Sequence, residues 1–301
     1  MSSHCQCRAT EIVGQFDAGS GCVVLVDLFV DDCYSETWFH GVTNSLKLDL
    51  ASFSRSFELN SGVVSPGLFV TGTDTAVGKT HVAVQILREL AALGIKAGAY
   101  KPVCSGANQG PDNEVTWDDV ERLRGALSDT WTVDQVSPQR FMAPVAPPLA
   151  ARLEGREVDF QKAVQGARWW DGRVDLLVVE GAGGLLAPVS ASEFVADLAR
   201  EIGFPLVIVA RCGLGTINHT LLTIEAAKHR GLTVAGIILN QSHPNDDYSL
   251  AESNAAEIES RGGCPVLGVL KWGVSDGLQR HGCPVTIAWT ELARTYSVAT
   301  G

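Results

Sequence analysis

At 301 residues the chain is long enough for one large α/β domain or two ordinary ones. A hydrophobic content of 46% with 31 glycines suits a globular enzyme rich in tight turns and excludes general disorder. With 23 Lys and Arg against 34 Asp and Glu the formal net charge is −11, so the molecular field repels nucleic acid and any phosphate binding must be local.

The eight cysteines (Cys5, Cys7, Cys22, Cys33, Cys104, Cys212, Cys264 and Cys283) include no C-x-x-C pair and are spread through a chain too large to need a disulfide framework. A reducing, cytoplasmic setting is the simplest expectation. The apolar run CVVLVDLFV at 22–30 contains Asp27, has no basic leader and is too short to span a bilayer. The protein is therefore expected to be neither secreted nor membrane-embedded. Residues 1–65 differ in kind from the rest, with Ser, Asn and Gly clusters, four of the eight cysteines and no helix-length apolar period. They carry eight acids against three bases. They read as an extension, poorly ordered or arising from a start assigned too far upstream, ahead of a single domain at 66–301.

From Gly67 onward, short apolar runs alternate with helical patterns, which predicts an α/β fold: a doubly wound, mostly parallel sheet with helices on both faces. The runs are Leu68–Thr71, Gly98–Val103, Asp175–Glu180, Leu206–Ala210, Val234–Asn240 and Val266–Leu270. Each is nearly all apolar, as strands covered on both faces should be. Helical patterns fall at about 79–93, 117–127, 159–170, 192–202, 216–230 and 248–262, with Gly94, Gly203 and Gly231 placed as C-terminal stops. In open sheets of this kind, ligands bind beyond the carboxyl ends of the strands.

The first strand end carries GTDTAVGKT. Its Gly-Lys-Thr matches a phosphate-binding loop, but Gly72 precedes Gly78 by one residue more than G-x-x-x-x-G-K-[ST] requires, and Thr73 stands at the expected glycine. With a strand before and a helix after, Thr71 to Thr80 would form an anion nest, with Lys79 reaching β- and γ-phosphates and Thr80 offering a hydroxyl to Mg²⁺. At the second strand end, Lys101 precedes Pro102, whose ring keeps it out of helix and turns it toward the crevice or into solvent. Ser105 and Gly106 follow in a loop able to approach a small ligand, and Cys104 reads as a small apolar filler rather than a nucleophile.

Asp118 and Asp119 open a helical pattern, where acids complement the helix dipole. DLLVVEGAGG ends its apolar run in Glu180, an acid placed like those that help hold Mg²⁺ in phosphate-loop enzymes, and Gly181 to Gly184 let backbone approach a ligand. Thr80, one aspartate and Glu180 would suffice for Mg²⁺, which keeps several waters. RCGLGTINHT places Gly213 and Gly215 before a helix starting near Thr216, as a seat for a carboxylate or simply as a turn and cap. His219 reads as a packing or hydrogen-bonding residue rather than a base. Asn240 closes the fifth strand, with an amide that suits the donor–acceptor edge of adenine but also suits a turn.

Together GTDTAVGKT, YKPVCSG, VEGAGG, GLGTINH and AGIILN, in this order and at these intervals, closely resemble the dethiobiotin synthetase family of biotin biosynthesis, from about Gly67 to Leu270. The displaced first glycine of the loop is itself similar to that family's. The resemblance implies a P-loop NTPase-like fold with a seven-stranded sheet, and a homodimer. It also implies a reaction in which ATP, Mg²⁺ and CO₂ close the ureido ring of dethiobiotin on 7,8-diaminononanoate. It implies Lys79, Lys101 and Ser105 at the reacting carbamate and γ-phosphate, and Thr80, Asp119 and Glu180 at Mg²⁺. Nucleotide contacts would come from Thr75, Ala76, Val77, Gly78, Lys79, Thr80, Glu180, Gly181, Gly183 and Asn240. The diamine would meet Thr75, Lys101, Ser105 and a turn formed by Gly181, Ala182, Gly183 and Gly184, with Gly215 and Asn218 receiving its carboxylate tail across the dimer interface. The chain departs from the family at Ala76, where some members have glutamate, at Gln241, where aspartate is frequent, and in KWGVSDGLQRHGCPVTIAW after Leu270. Two neighbouring readings are a phosphate-loop amidoligase of the cobyrinic acid type and a partition-type ATPase switch. The first lacks a recognisable glutaminase domain here, and the second lacks an early loop lysine between Thr73 and Ala76.

Overall fold

The computed structural model describes residues 64–110, 112–273 and 277–297. The expectation for residues 1–65 thus lies outside the described residues, apart from Val64 and Ser65. Ser65 belongs to the domain: it is buried, its N–H donates to Asp171 Oδ1 at 3.0 Å, and its hydroxyl donates to the Val174 carbonyl at 2.8 Å.

Leu68, Phe69 and Val70, all fully buried, form the middle of β1 (Gly67–Gly72), and the loop after it enters α1 (Lys79–Ala92). The second run predicts one strand from Gly98 to Val103, but it divides into β2 (Ala97–Tyr100) and β3 (Val103–Ser105). Pro102 has no N–H to continue a ladder, and the Lys101 N–H donates to the Val136 carbonyl at 2.7 Å instead. β4 (Asn108–Gln109) and β5 (Val115–Thr116) pair as a small antiparallel ribbon before α2 (Asp118–Arg124) and α3 (Val133–Val136). β6 (Gln139–Phe141) then pairs parallel with β3, away from the main sheet. These short pieces carry no period long enough to read in sequence.

α4 (Pro147–Leu153) and α5 (Phe160–Arg168) lead into β7 (Leu176–Gly184), which continues past Glu180 through the glycines expected to form a turn. Gly184 pairs with Gly72 after an irregularity in the ladder, and a Cβ on Gly181 would lie 2.8 Å from Val195 Cγ1. The glycines therefore permit close packing of strand and helix rather than a reversal. α6 (Val195–Ile202), β8 (Leu206–Arg211), α7 (Thr216–His229), β9 (Val234–Asn240), α8 (Ala251–Gly262) and β10 (Val266–Leu270) follow with the expected alternation. Two helices start later than their periods suggest. Ser190 Oγ accepts the Glu193 N–H at 3.1 Å and Asp247 Oδ1 accepts the Ser249 N–H at 2.9 Å, so side chains turn the backbone before each helix begins. β11 (Gln279–Arg280), β12 (Cys283–Pro284) and α9 (Trp289–Ser297) complete the described chain.

The main sheet has the order β12-β11-β10-β9-β8-β1-β7-β2. Its five inner pairings from β10 to β2 are parallel, and β11 and β12 add an antiparallel edge, so the sheet has eight strands rather than the seven the resemblance implies. Gly268 admits the added strand: a Cβ there would lie 2.8 Å from Leu278 Cβ. The chain moves from β1 toward β2 in one direction and from β8 toward β10 in the other, and right-handed crossovers then place the two sets of helices on opposite faces. The parallel strands bring Gly72, Lys101, Glu180 and Asn240 to one end of the sheet.

Candidate active site

The displaced glycine of the loop has a steric reason. A Cβ on Gly72 would lie 2.8 Å from Val77 Cγ2 and 2.9 Å from the Asp74 carbonyl. The longer spacing lets fully buried Val77 plug the end of β1 while Thr75 and Ala76 stay outside. Ala76 takes φ 57° and Gly78 φ 94°, so the loop makes two left-handed steps on its way into α1. Asn240 Nδ2 donates to the Val77 carbonyl at 2.9 Å, and a Cβ on Gly78 would lie 2.0 Å from that same nitrogen. Only glycine lets the end of β9 clasp the loop. Among the described residues the N–H groups from Ala76 to Thr80 have no protein acceptor, which leaves them available to an anion.

Beside the loop, Lys101 Nζ lies 2.6 Å from Glu180 Oε1 and 2.8 Å from Asp119 Oδ2. Thr80 Oγ1 lies 2.8 Å from both Asp119 Oδ1 and Glu180 Oε1. One hydroxyl proton serves only one of those oxygens, so the remaining close oxygen pair calls for positive charge. Glu180 Oε2 is buried without a partner. One hydroxyl, two carboxylates and an orphaned carboxylate oxygen fit Mg²⁺, which needs few protein ligands and completes its octahedron with water and phosphate oxygens. No cluster of three or more His, Cys, Asp or Glu residues suited to a metal occurs among the described residues.

Burial acts in the same direction on both lysines, but their net shifts are opposite. Burial alone would lower the Lys101 pKa, but the carboxylates of Glu180 and Asp119 outweigh it and hold the ammonium above its ordinary value. Lys79 donates to the Asp74 carbonyl at 3.1 Å rather than to a carboxylate. Its burial wins, with repulsion from Lys101 adding to it against the pull of Glu180, and its pKa falls. For Asp119, burial opposes ionisation, but the charge and hydrogen bond of Lys101 prevail and lower the pKa. Burial lifts the Cys104 thiol to about 12, which keeps it a packing residue rather than a nucleophile.

A cavity of about 600 Å³ opens over these groups. It brings together the expected Thr75, Ala76, Gly78, Lys79, Thr80, Lys101, Ser105, Asp119, Glu180, Ala182, Gly183 and Asn240. The others expected stand apart. Val77 is buried beneath the loop and offers only main chain, and Gly181 is buried against α6. Gly184 lines a second hollow of about 420 Å³ together with Asp74, Leu186, His219 and Leu222. Thr75 borders both. Gly215 and Asn218 are exposed at the start of α7 and line neither cavity. Ser105 Oγ donates to the Val145 carbonyl at 2.7 Å, so giving that proton to a ligand requires releasing the bond.

The cavity also includes residues that the motifs did not single out. Arg122 lies one helical turn after Asp119, and exposed His81 follows Thr80. Partial desolvation and then the charges of Arg122 and Arg88 lower the His81 pKa. Gln241, Ser242, Trp272 and Gly273 close the side beyond β9 and β10. The signal that could have found Trp272 is its place two residues past Leu270, beyond a strand end.

A glycine-lysine-threonine nest at the end of a central parallel strand, with a hydroxyl and two acids beside it, defines a phosphate-loop nucleotide-binding protein. In agreement, the AAA domain family matches residues 66–274. The ATP-dependent dethiobiotin synthetase BioD of Anaeromyxobacter dehalogenans (strain 2CP-1) is 50% identical over 206 residues, covering 68% of this chain and 90% of that protein. The protein of the same name from Bacillus licheniformis is 40% identical over 205 residues, covering 67% and 84%. That from Thermodesulfovibrio yellowstonii is 36% identical over 213 residues, covering 68% and 88%. The chain belongs to the dethiobiotin synthetase family.

Proposed function

We propose that the protein is an ATP-dependent dethiobiotin synthetase, a ligase that carboxylates 7,8-diaminononanoate with CO₂ and closes the ureido ring, releasing ADP and phosphate. The observation that carries this reading is the cluster of buried Lys101, Glu180 and Thr80 with half-buried Asp119 beside an open anion nest, in a chain of this family. An amine of the substrate takes up CO₂ and loses a proton to give a carbamate. The carbamate oxygen attacks the γ-phosphorus, the bond to the β-γ bridging oxygen breaks, and ADP leaves. The second amine then attacks the carbonyl of the carbamic–phosphoric anhydride, and phosphate departs with both bonding electrons.

Each step forms or moves negative charge, and no covalent nucleophile is needed. Lys101, kept charged by its carboxylates, would face the transferring phosphoryl group and the carbamate. Lys79 and the N–H groups from Ala76 to Thr80 would hold the β- and γ-phosphates. Thr80, Asp119 and Glu180 would hold Mg²⁺, which supplies electrostatic neutralisation of the phosphate oxygens. Asn240 keeps one N–H and its carbonyl oxygen beyond the bond to Val77, enough for the edge of adenine. The diamine would occupy the Ala182–Gly183 side and run past Thr75 toward the second hollow.

A homodimer is supported by exposed Leu186, Leu214 and Leu222 around that hollow and α7, apolar surface suited to a partner. In it Gly215 and Asn218 would reach the diamine tail of the partner. A cytoplasmic location is supported by the free thiols of Cys104, Cys212 and Cys283 among the described residues. Residues 66–301, with Ser65, would be the catalytic domain and the earlier residues an extension. The test is to incubate the purified chain with diamine, ATP, Mg²⁺ and bicarbonate and to detect dethiobiotin by mass. Absence of product beside an active control enzyme overturns the proposal.

A further inference from the structure

We infer that Arg122 and Arg88 form a cationic track that draws the anionic nucleotide toward the phosphate end of the cavity. The inference rests on the proposed use of ATP and concerns how the anion arrives, as distinct from the groups that hold it. With a formal net charge of −11, the molecule as a whole repels a polyanion. The inner cations do not offset that at a distance. Lys101 is matched by Glu180 and Asp119, and Lys79 is buried. Attraction therefore has to come from cations outside the buried cluster.

Arg122 and Arg88 are placed to supply it. Arg122 lines the cavity one helical turn after Asp119. Arg88 lies two turns after His81 on the same side of α1, about 10 Å along the axis, and α1 packs beside α2. His81 lines the cavity and feels the charge of both guanidinium groups, so the two arginines share the side on which the cavity opens. Both are exposed, and neither makes an ion pair among the described residues. The neighbouring carboxylates turn elsewhere. Asp119 pairs with Lys101 at 2.8 Å, and Glu121 pairs with Arg124 at 2.8 Å. Glu89, next to Arg88, accepts from Gln85 Nε2 at 2.9 Å and from Trp289 Nε1 at 2.6 Å. Asp118, four residues before Arg122, is exposed and forms no ion pair with it, so its charge opposes the track. Exposed charges of this kind change the rate of encounter and its salt dependence more than they change the bound complex.

The experiment follows association and dissociation of ATP carrying a fluorescent ribose label, with Mg²⁺ and without diamine, by stopped flow on the full chain. Arg88 is the cleaner probe, because it does not line the cavity. At about 0.01 M ionic strength, where charges act over about 30 Å, Arg88→Gln and Arg122→Gln should each slow association about threefold. Arg88→Glu should slow it about tenfold, Arg88→Lys should keep the unaltered rate, and Asp118→Asn should raise it. At about 1 M, where the range is about 3 Å, the rates should converge, and dissociation should be the same throughout. Unaltered association in Arg88→Glu at low salt overturns the track, as does a deficit that persists at high salt or appears in dissociation. The unaltered chain decides the matter should the variants fold poorly, since association that speeds up with added salt means net repulsion and also overturns it. A chain that shows the Arg88-dependent rates yet makes no dethiobiotin keeps the track and loses the proposed activity, so the two failures are separable.

Discussion

The two ends of the cavity are built on different physics. At the phosphate end, Lys101 and Glu180 are almost wholly removed from water, with side-chain exposures of 5% and 1%, and each depends on the other's charge. At the base end, Asn240, Gln241 and Trp272 are neutral and are fixed by amide hydrogen bonds and ring contacts. The contrast suits a site that must stabilise charge as it develops at one end and recognise a flat heterocycle at the other. Charges placed before the reaction need no reorganisation when it occurs, whereas neutral groups tolerate partial exposure to solvent.

Changes at the charged end should cost most. Lys101→Ala should reduce kcat about a thousandfold. It should also lower unfolding free energy by about 3 kcal/mol, because Glu180 would be left buried without its cation. Product formation and denaturant unfolding measure the two losses. A variant with near-normal turnover would remove Lys101 from the chemistry. Thr80→Ala should lower kcat about a hundredfold and weaken the dependence on Mg²⁺ concentration, which a metal titration of the rate reads. An unaltered titration would separate Thr80 from the metal.

Lys79→Met should split function from stability. The rate should fall about a hundredfold, yet the melting temperature at neutral pH should rise. The sign follows from the lowered pKa of Lys79. Below its folded pKa the lysine is charged in both states and pays a desolvation penalty on folding, and that penalty fades as pH rises toward the unfolded value of 10.5. The stability gain should therefore be full at neutral pH and shrink in alkali, and a pH series of thermal melts tests it. A melting temperature lowered by Lys79→Met would contradict the contrast between the two lysines. Lys101, raised instead, supplies stability below 10.5 that persists until its still higher folded pKa is passed.

The smallest effects should come from the amino-terminal boundary. A chain starting at Val64 should form product within about twofold of the full chain, as expected where a segment contributes nothing to the site. Starting at Gly67 should cost about 1 kcal/mol more, because Ser65 takes its buried hydrogen bonds with it. Equal stability of the two truncated chains would show that Ser65 anchors nothing.

Legibility in the sequence followed the range of the interaction. The six parallel strands and six main helices could be read because each carries its own apolar period, and Lys79, Thr80, Lys101 and Glu180 stood at the ends of such runs. The break at Pro102 was visible as a missing donor, although its result, a separate β3–β6 pair, was not. Gly181 to Gly184 suggested a turn because local glycine content does not distinguish a reversal from a strand that needs close neighbours. From its local pattern Asp119 was visible as a helix-opening acid and only the resemblance placed it at Mg²⁺, since its contact with Lys101 joins residues from different elements. Gln241 appeared as a departure from family pattern, and its amide contacts with Trp272 and Asp246 became visible only with β9 and β10 side by side.

By itself the sequence determined the alternation of strand and helix, the phosphate loop with its displaced glycine, and the family, because these rest on local spacing and residue type. Tertiary structure decided why that glycine is displaced, through the burial of Val77 and the clasp of Asn240. It also decided which lysine stays charged and that Trp272 faces the nucleotide cavity. Those outcomes depend on burial and on distances between residues far apart in the chain, quantities that exist only after the strands have assembled.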